Sequence, residues 1–295
     1  MRKWLAIANP CAGAFRYGHF RTRWLPQVAR QVAEVKYTEA PGQAAEIARS
    51  AGDYEGIVII GGDGTIFEVL GALEGGEQRL ALIPAGRGNC LALDLGVNEV
   101  PVAIDAIANG QPVRIDLLEL EVLFADGRRH ACRAASTLAT GYVADVVRLA
   151  GEFTPLGRHA YTAAAVCSRP RRLPVVADYG DGQRFTGEVT GIVINNTRHL
   201  ANFRAFPRAS LTDGLADVLE LQAGWAGQLV HNLSVLTRRY FYQPGLEFRT
   251  RQVQLKLPTP DTLMVDGELF EEVTELCVTC RPAAVRVQCA GEGVC

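Results

Sequence analysis

An apolar run, Ile57-Val58-Ile59-Ile60, empties into Gly61-Gly62-Asp63-Gly64-Thr65, and a helix-like run, Ile66-Phe67-Glu68-Val69-Leu70, leaves it. A buried strand that passes through glycines into a helix is a place to hold phosphate. Glycine permits sharp turns and a close approach of backbone N–H groups to a ligand. The first turn of the helix adds partial positive charge. Thr65 and Glu68 stand at capping-box spacing, which predicts that the helix begins at Thr65. Asp63 is an acid in a phosphate loop. It would repel a bare phosphate, so its expected partner is a metal ion or a substrate hydroxyl.

Two similar loops flank this one. Trp4–Ala8 reads as a short strand running into Asn9-Pro10-Cys11-Ala12-Gly13, followed by a basic, helix-like stretch from Phe15 to Gln31. Leu80–Ile83 reads as a buried strand ending in Pro84-Ala85-Gly86-Arg87-Gly88-Asn89, with Asn89 placed to cap the next helix. Between them, Glu34–Thr38 is extended, Pro41-Gly42 is a turn and Gln43–Ser50 is an alanine-rich helix. Strands alternating with helices predict a parallel sheet covered on both faces, with ligands beyond the carboxyl ends of its strands. Glycines also make ordinary tight crossings. Three glycine loops on strand ends, one carrying Asp63, favour the phosphate reading.

The pattern changes near Ile115. Strand-like runs separated by turn residues dominate the rest: Asp116–Ala125, His130–Leu138, Leu173–Tyr179, Phe185–Asn195, Ala216–Gln222, Val253–Leu257, Thr262–Val265 and Leu276–Gln288. Pro258 is read as a turn. Gly141–Leu149, His159–Ser168 and Trp225–Phe241 are the helical exceptions. Such a run of strands predicts an antiparallel sandwich. A chain of 295 residues suits two domains, placed at 1–118 and 119–295 with a cleft between them.

A formal net charge of −2 argues against a nucleic-acid partner. The Met1–Pro10 start has too short an apolar run for a signal peptide, and Asn9-Pro10 interrupts it. No run approaches the ~18 apolar residues of a membrane helix. The expected location is the cytoplasm. Of eight cysteines, Cys277 and Cys280 alone form a C-x-x-C. They lack a second pair or histidines nearby and lie in an alternating, strand-like segment, so they read as core residues rather than a zinc or redox site.

Taken together, the motifs resemble those of the diacylglycerol kinase catalytic-domain family, which includes bacterial lipid kinases and sphingosine and ceramide kinases. Asn9-Pro10-Cys11-Ala12-Gly13 resembles its N-P-x-[SA]-G, and Gly61–Thr65 with Glu68 its G-G-D-G-T loop. Pro84–Asn89 resembles P-x-G-[ST]-x-N. Thr140-Gly141-Tyr142, Leu156-Gly157-Arg158, Asp213–Val218 and Asp266-Gly267-Glu268 resemble its later G-[FY], L-G-[RK], D-G-x-L-D-V and D-G-E elements. The order holds over nearly the whole chain. The Gly-Gly-Asp-Gly-Thr loop alone would also suit NAD kinases and phosphofructokinases; the Asn-Pro loop and the Asp-Gly-Glu element separate this chain from both.

The resemblance implies a three-layer, Rossmann-like α/β domain, similar to that of NAD kinases and phosphofructokinases, followed by a β-sandwich domain. It implies an enzyme that moves the γ-phosphoryl group of ATP, with Mg²⁺, to a lipid hydroxyl: a sphingoid base, ceramide, diacylglycerol or a related glycerolipid. Residues Asn9, Pro10, Gly13, Thr38, Gly61, Gly62, Asp63, Gly64, Thr65, Glu68, Gly86, Arg87, Gly88, Asn89 and Gly267 are the expected nucleotide site. Glu268 is the expected base for the lipid hydroxyl, with Asp63 beside it. Asp-Gly also favours a plain hairpin turn at 266–267. Asp213, with backbone carbonyls around Ser210 and Leu215, is the family's structural Mg²⁺ site, or else merely starts a turn.

Two departures stand out. Cys90 follows Asn89 where many diacylglycerol kinases carry Asp, which weakens a diacylglycerol assignment in particular. Arg87 stands where Ser or Thr is usual, either clamping phosphate or pointing to solvent. Three arginine groups, Arg169/Arg171/Arg172, Arg198/Arg204/Arg208 around Phe203 and Phe206, and Arg238/Arg239, are candidates for peripheral contact with anionic headgroups at the inner membrane face. A homodimer is compatible with the chain, which carries no mark of its oligomeric state. A kinase of a soluble substrate such as NAD, and a non-catalytic nucleotide- or membrane-binding module, are the alternatives.

Overall fold

The computed structural model describes residues 4–15, 18–73, 78–153, 159–200, 204–222 and 247–291. The chain forms two compact units. The first contains Met1–Leu117, Leu211–Asp213 and Pro282–Cys295; the second contains Leu118–Ser210 and Gly214–Arg281.

In the first unit, apolar runs too short and too β-branched for helices become strands, and each hands the chain to a helix. The order is β1 (Trp4–Ala8), α1 (Gly18–Arg23), α2 (Leu25–Ala29), β2 (Glu34–Tyr37), α3 (Gln43–Arg49), β3 (Gly56–Gly61), α4 (Asp63–Ala72), β4 (Arg79–Pro84), α5 (Cys90–Asp94) and α6 (Val100–Asn109). β1 to β4 pair in parallel, in the order β2-β1-β3-β4, and β4 also pairs in parallel with Arg286 and Val287. The residues of β1 and β3 are buried throughout, as both-sided coverage requires. One expected helix divides. The stretch from Phe15 to Gln31 holds two short helices that meet at Trp24, with a proline in the first turn of α2.

The second unit takes up the long strand β5 (Gln111–Phe124) from residue 118. It continues through β6 (Arg129–Ala134), β7 (Thr137–Gly141), α7 (Tyr142–Glu152), α8 (Ala160–Cys167), β8 (Leu173–Asp178), β9 (Arg184–Asn195), β10 (Ala216–Gln222), β11 (Glu247–Thr250), β12 (Gln252–Val265) and β13 (Glu268–Cys289). Strands run in the order β11-β10-β9-β7-β12-β13; β8 bridges β12 and β9, and β5 pairs with β13 and β6. α7 and α8 cover one face, where Tyr142, Val146 and Ala164 pack with Val193, Leu219, Met264 and Phe206. Among the described residues the unit is β-rich, with α7 and α8 packed in that cluster.

Two strands run on past expected breaks. Pro258 does not end a strand. β12 continues through it with register shifts between Lys256 and Leu263, the kind of bulge at which a sheet tolerates proline. β13 extends over 22 residues and accommodates two residues at positive φ, Glu272 and Ala283. Cys277 and Cys280 both lie on it, three residues apart. A strand turns such residues to opposite faces, which fits neither a shared metal nor a disulfide. The expected helix 225–241, Leu156-Gly157-Arg158, Phe203, Arg238 and Arg239 lie outside the described residues.

Candidate functional site

The carboxyl ends of β1, β3 and β4 release three loops, and backbone hydrogen bonds tie them to one another. Asn9 donates its N–H to the Ile60 carbonyl at 2.9 Å, Ala14 donates to Ala85 at 2.8 Å, and Ala85 donates to Gly61 at 2.8 Å. The Asn9 amide Nδ2 donates to Thr65 Oγ1 at 3.1 Å, while its Oδ1 accepts the Cys11 N–H at 2.9 Å. Thr38 joins from the edge strand β2, donating its N–H to the Ala8 carbonyl at 3.0 Å. Asn9, Thr38, Gly61, Gly62, Thr65 and Gly86 are therefore brought to one end of one sheet.

The glycines are needed for space rather than for their backbone angles. A Cβ on Gly62 would lie 2.8 Å from the Gly86 Cα, and one on Gly86 would lie 2.5 Å from the Gly62 Cα. The second and third loops thus touch backbone to backbone. Neither glycine has a positive φ. The expectation of a sharp turn at these positions is replaced by one of close approach.

Asp63 is the first residue of α4, and its carboxylate reaches the third loop. Its Oδ2 accepts the Asn89 N–H at 2.9 Å, and its Oδ1 accepts the Cys90 N–H at 3.1 Å. Those N–H groups open α5, so Asp63 supplies the cap expected of the Asn89 side chain. Asn89 instead folds back in a left-handed conformation (φ 53°). Its Oδ1 accepts the Gly86 N–H at 2.9 Å and its Nδ2 donates to the Gly86 carbonyl at 3.0 Å. Burial raises the Asp63 carboxyl from 3.8 to about 6, against the lowering effect of the Asn89 and Cys90 hydrogen bonds.

The capping box is corrected. α4 begins at Asp63, two residues before Thr65, and no side chain caps it. Thr65 lies in the first turn, where its hydroxyl meets Asn9. Glu68 turns away to accept the Ala44 N–H at 3.1 Å, capping α3 instead. Pro10 lies in the first loop, while Gly64 continues α4 behind Asp63. Arg87 is exposed, and its side-chain stem lies against Gly13, so a cation overhangs the first loop. Gly88 links it to Asn89.

In the second unit, Asp266 and Gly267 form a two-residue hairpin between β12 and β13, with φ of 48° and 94° and Val265 paired to Glu268. Both positive φ values mark the type I′ turn that Asp-Gly favours. Glu268 leaves the turn exposed. Asp266 is buried, and its carboxylate accepts the backbone N–H groups of Ala135, Ser136 and Thr137 at 2.8, 3.0 and 2.8 Å. This anchor is absent from the motif reading, because its partners lie about 130 residues away in the sequence.

Ser210, Asp213 and Leu215 flank the turn that enters β10. Asp213 is exposed, and the neighbouring Leu211 carbonyl accepts the Asp116 N–H at 2.7 Å within the first unit. Two of the arginines read as headgroup contacts are committed elsewhere. Arg171 bridges Asp145 and Asp261, and Arg172 pairs with Glu188 at 2.9 Å.

The family model of the diacylglycerol kinase catalytic domain matches residues 3–120, the stretch that holds all three loops. A protein of Xanthomonas campestris named "Probable lipid kinase YegS-like" is 30% identical over 251 residues, covering 80% of each chain. This chain belongs to the diacylglycerol kinase family. Within that family, the diacylglycerol kinase of Bacillus subtilis is 26% identical over 285 residues, covering 91% of this chain and 90% of its own. The crystal structure of a diacylglycerol kinase from Bacillus anthracis superposes with a TM-score of 0.79 at 20% identity, covering 100% of this chain and 98% of that one, and so shares the fold. The protein is a lipid kinase with an α/β N-terminal domain and a β-rich C-terminal domain. No helix among its described residues is long and apolar enough to cross a membrane.

Proposed function

We propose that this kinase transfers the γ-phosphoryl group of ATP to the hydroxyl of a sphingoid base, ceramide, diacylglycerol or related glycerolipid. The observation that carries the nucleotide half is the backbone contact of Gly62 with Gly86 at the carboxyl end of a parallel sheet. Two loops locked together without side chains let a ligand's phosphate approach the backbone closely, and phosphoryl transfer depends on alignment and charge neutralisation. Asn9, Gly13, Thr65 and Arg87 line the same loops. The names carried by the relatives support the lipid half.

Glu268 takes the proton of the attacking hydroxyl, a role for which an exposed carboxylate on a rigid hairpin is suited. Asp63 acts from the nucleotide side. It fixes the Asn89–Cys90 backbone, and each of its oxygens keeps a second lone pair. Mg²⁺, when bound, neutralises charge on the transferring phosphate oxygens. A separate, structural Mg²⁺ would be held in the turn before β10 by Asp213, an exposed hard carboxylate, with backbone carbonyls around Ser210 and Leu215 as further oxygen donors. The enzyme is read as cytoplasmic and works at the inner membrane face, where Arg169, Arg171, Arg172, Arg204 and Arg208 are the exposed cations of the described arginine groups.

The test is transfer from γ-labelled ATP, with Mg²⁺, to a panel of sphingosine, ceramide, diacylglycerol, monoacylglycerol, phosphatidylglycerol and NAD. Label in one of the lipids is expected. Label in NAD alone overturns the lipid reading, and ATP binding without transfer to any acceptor overturns the kinase reading.

A further inference from the structure

In the first unit residues at the carboxyl ends of the four strands form a row: Tyr37 beside Ala8, Ala8 beside Ile60, Ile60 beside Ile83, with Gly61 and Pro84 one residue further on. Ala8, Ile60 and Ile83 are fully buried, whereas Tyr37 is 46% exposed. Its ring is not loose. Phe15, fully buried at the end of the first loop, meets it edge-on with centroids 6.4 Å apart, and Phe20 packs on Phe15 at 5.2 Å. The Tyr37 ring is thus braced by Phe15, itself backed by Phe20, and yet open to solvent. It stands one residue before Thr38, at the end of the sheet where the loops gather.

The phosphate loops follow β1, β3 and β4, and β2 is the edge strand next to β1. Strands are about 4.8 Å apart, so β2 lies about one spacing from β1 and about two from β3. That span suits the distance from the phosphates of a nucleotide to its base. Ligands of open parallel sheets lie across the carboxyl ends of the strands. A triphosphate over the glycine loops, extended toward β2, brings its base to Tyr37. Aromatics are also common on strands for packing alone. Packing accounts for the buried Phe15 and Phe20, but not for the open ring beside them.

We propose that Tyr37 is the stacking platform for the purine ring of the nucleotide and so sets base preference in this kinase. The proposal rests on the ATP reading above and assigns the base to a position that the phosphate motifs do not mark. Stacking needs a flat face and no hydroxyl, so phenylalanine serves as well as tyrosine.

Calorimetric titration of the full chain with ATP, CTP and inorganic tripolyphosphate, in Mg²⁺ buffer, tests it. In Tyr37→Ala, ATP is expected to bind about tenfold more weakly, as loss of an aromatic–base stack implies, and the preference for ATP over CTP is expected to collapse. Tripolyphosphate binding stays at the wild-type value, which also shows that the loops remain folded. Tyr37→Phe keeps all three affinities. If Tyr37→Ala binds ATP as tightly as wild type, the platform is overturned and the kinase reading stands. If ATP and tripolyphosphate weaken together at unchanged base preference, Tyr37 is scaffold and the proposal is overturned. If wild type binds no ATP, the nucleotide reading itself is overturned, and the platform with it.

Discussion

Asp63 accepts the backbone N–H of Cys90 at 3.1 Å. The contact joins the start of one helix to the start of another, and it uses the backbone of Cys90, not its side chain. Any residue except proline can offer that N–H. The replacement of the usual Asp by Cys90 therefore leaves the loop closure intact. It changes only what the side chain presents, and Cys90 is buried.

The Asp63 carboxyl is shifted up, and the sign of its effect on stability follows. An acid with a higher pKa folded than unfolded binds more protons when folded, so its contribution is full below pH 3.8 and is lost as pH rises through about 6. Asp63→Asn removes this dependence. The wild-type stability, measured against Asp63→Asn by urea unfolding of the ligand-free protein, should fall by about 1.4 kcal/mol between pH 5 and pH 7.5. A difference that stays flat over that interval would show the carboxyl to be unshifted.

Gly86 touches Gly62 with no room for a methyl group, since its Cβ would also lie 2.7 Å from Asn89 Oδ1. Gly86→Ala must push the second and third loops apart or break the bond from Asn89 back to Gly86. A stability loss of about 1–3 kcal/mol is expected from such overpacking. Tripolyphosphate and ATP binding should both be lost, measured by calorimetry under conditions where circular dichroism shows the variant folded. Wild-type affinity for both would mean that the loops do not form the cradle.

Asp266 offers a prediction about the hairpin that presents Glu268. Asp266→Ala strands the buried N–H groups of Ala135, Ser136 and Thr137, each at a cost of about 1–3 kcal/mol. The summed loss should be about 3 kcal/mol or more in urea unfolding. Asp266→Asn should lose less, because the amide oxygen still accepts and Asn tolerates the positive φ. Equal stability of the Ala and Asn variants would remove the anchor role.

How far these sites could be read in advance depended on range. Short apolar runs ending in glycine give parallel strands and their loops, because both signals are local. The Asp266–Gly267 turn is local for the same reason. Glu68 misled because its spacing to Thr65 is local while its actual partner, Ala44, lies 24 residues away. Pro258 misled because a bulge in β12 absorbs it, and that bulge depends on the neighbouring strand. The return of Pro282–Cys295 to the first unit was invisible, since nothing in an alternating strand pattern says which sheet its second half will join. Asp63 was legible as an unusual acid but not as a helix cap, because its partners are backbone atoms 26 and 27 residues on.

Glu268 carries the proton-transfer step of the proposed reaction, and its geometry makes the substitution clean. It is exposed and begins β13 directly after a turn whose shape is fixed by Asp266 and Gly267. Glu268→Gln keeps the size and hydrogen-bonding reach of the side chain while removing the basic lone pair. Stability and ATP affinity should both stay at wild-type values. The rate of transfer to the lipid acceptor should fall by about 10²–10⁴-fold, the range for loss of a general base. The readout is label transfer at saturating ATP, so that a change in nucleotide binding cannot mimic the effect. A rate within about threefold of wild type, too small a drop for the loss of a general base, would take Glu268 out of the mechanism. Asp63 would then be the remaining candidate base, and its raised pKa of about 6 would appear as a limb in the pH–rate profile.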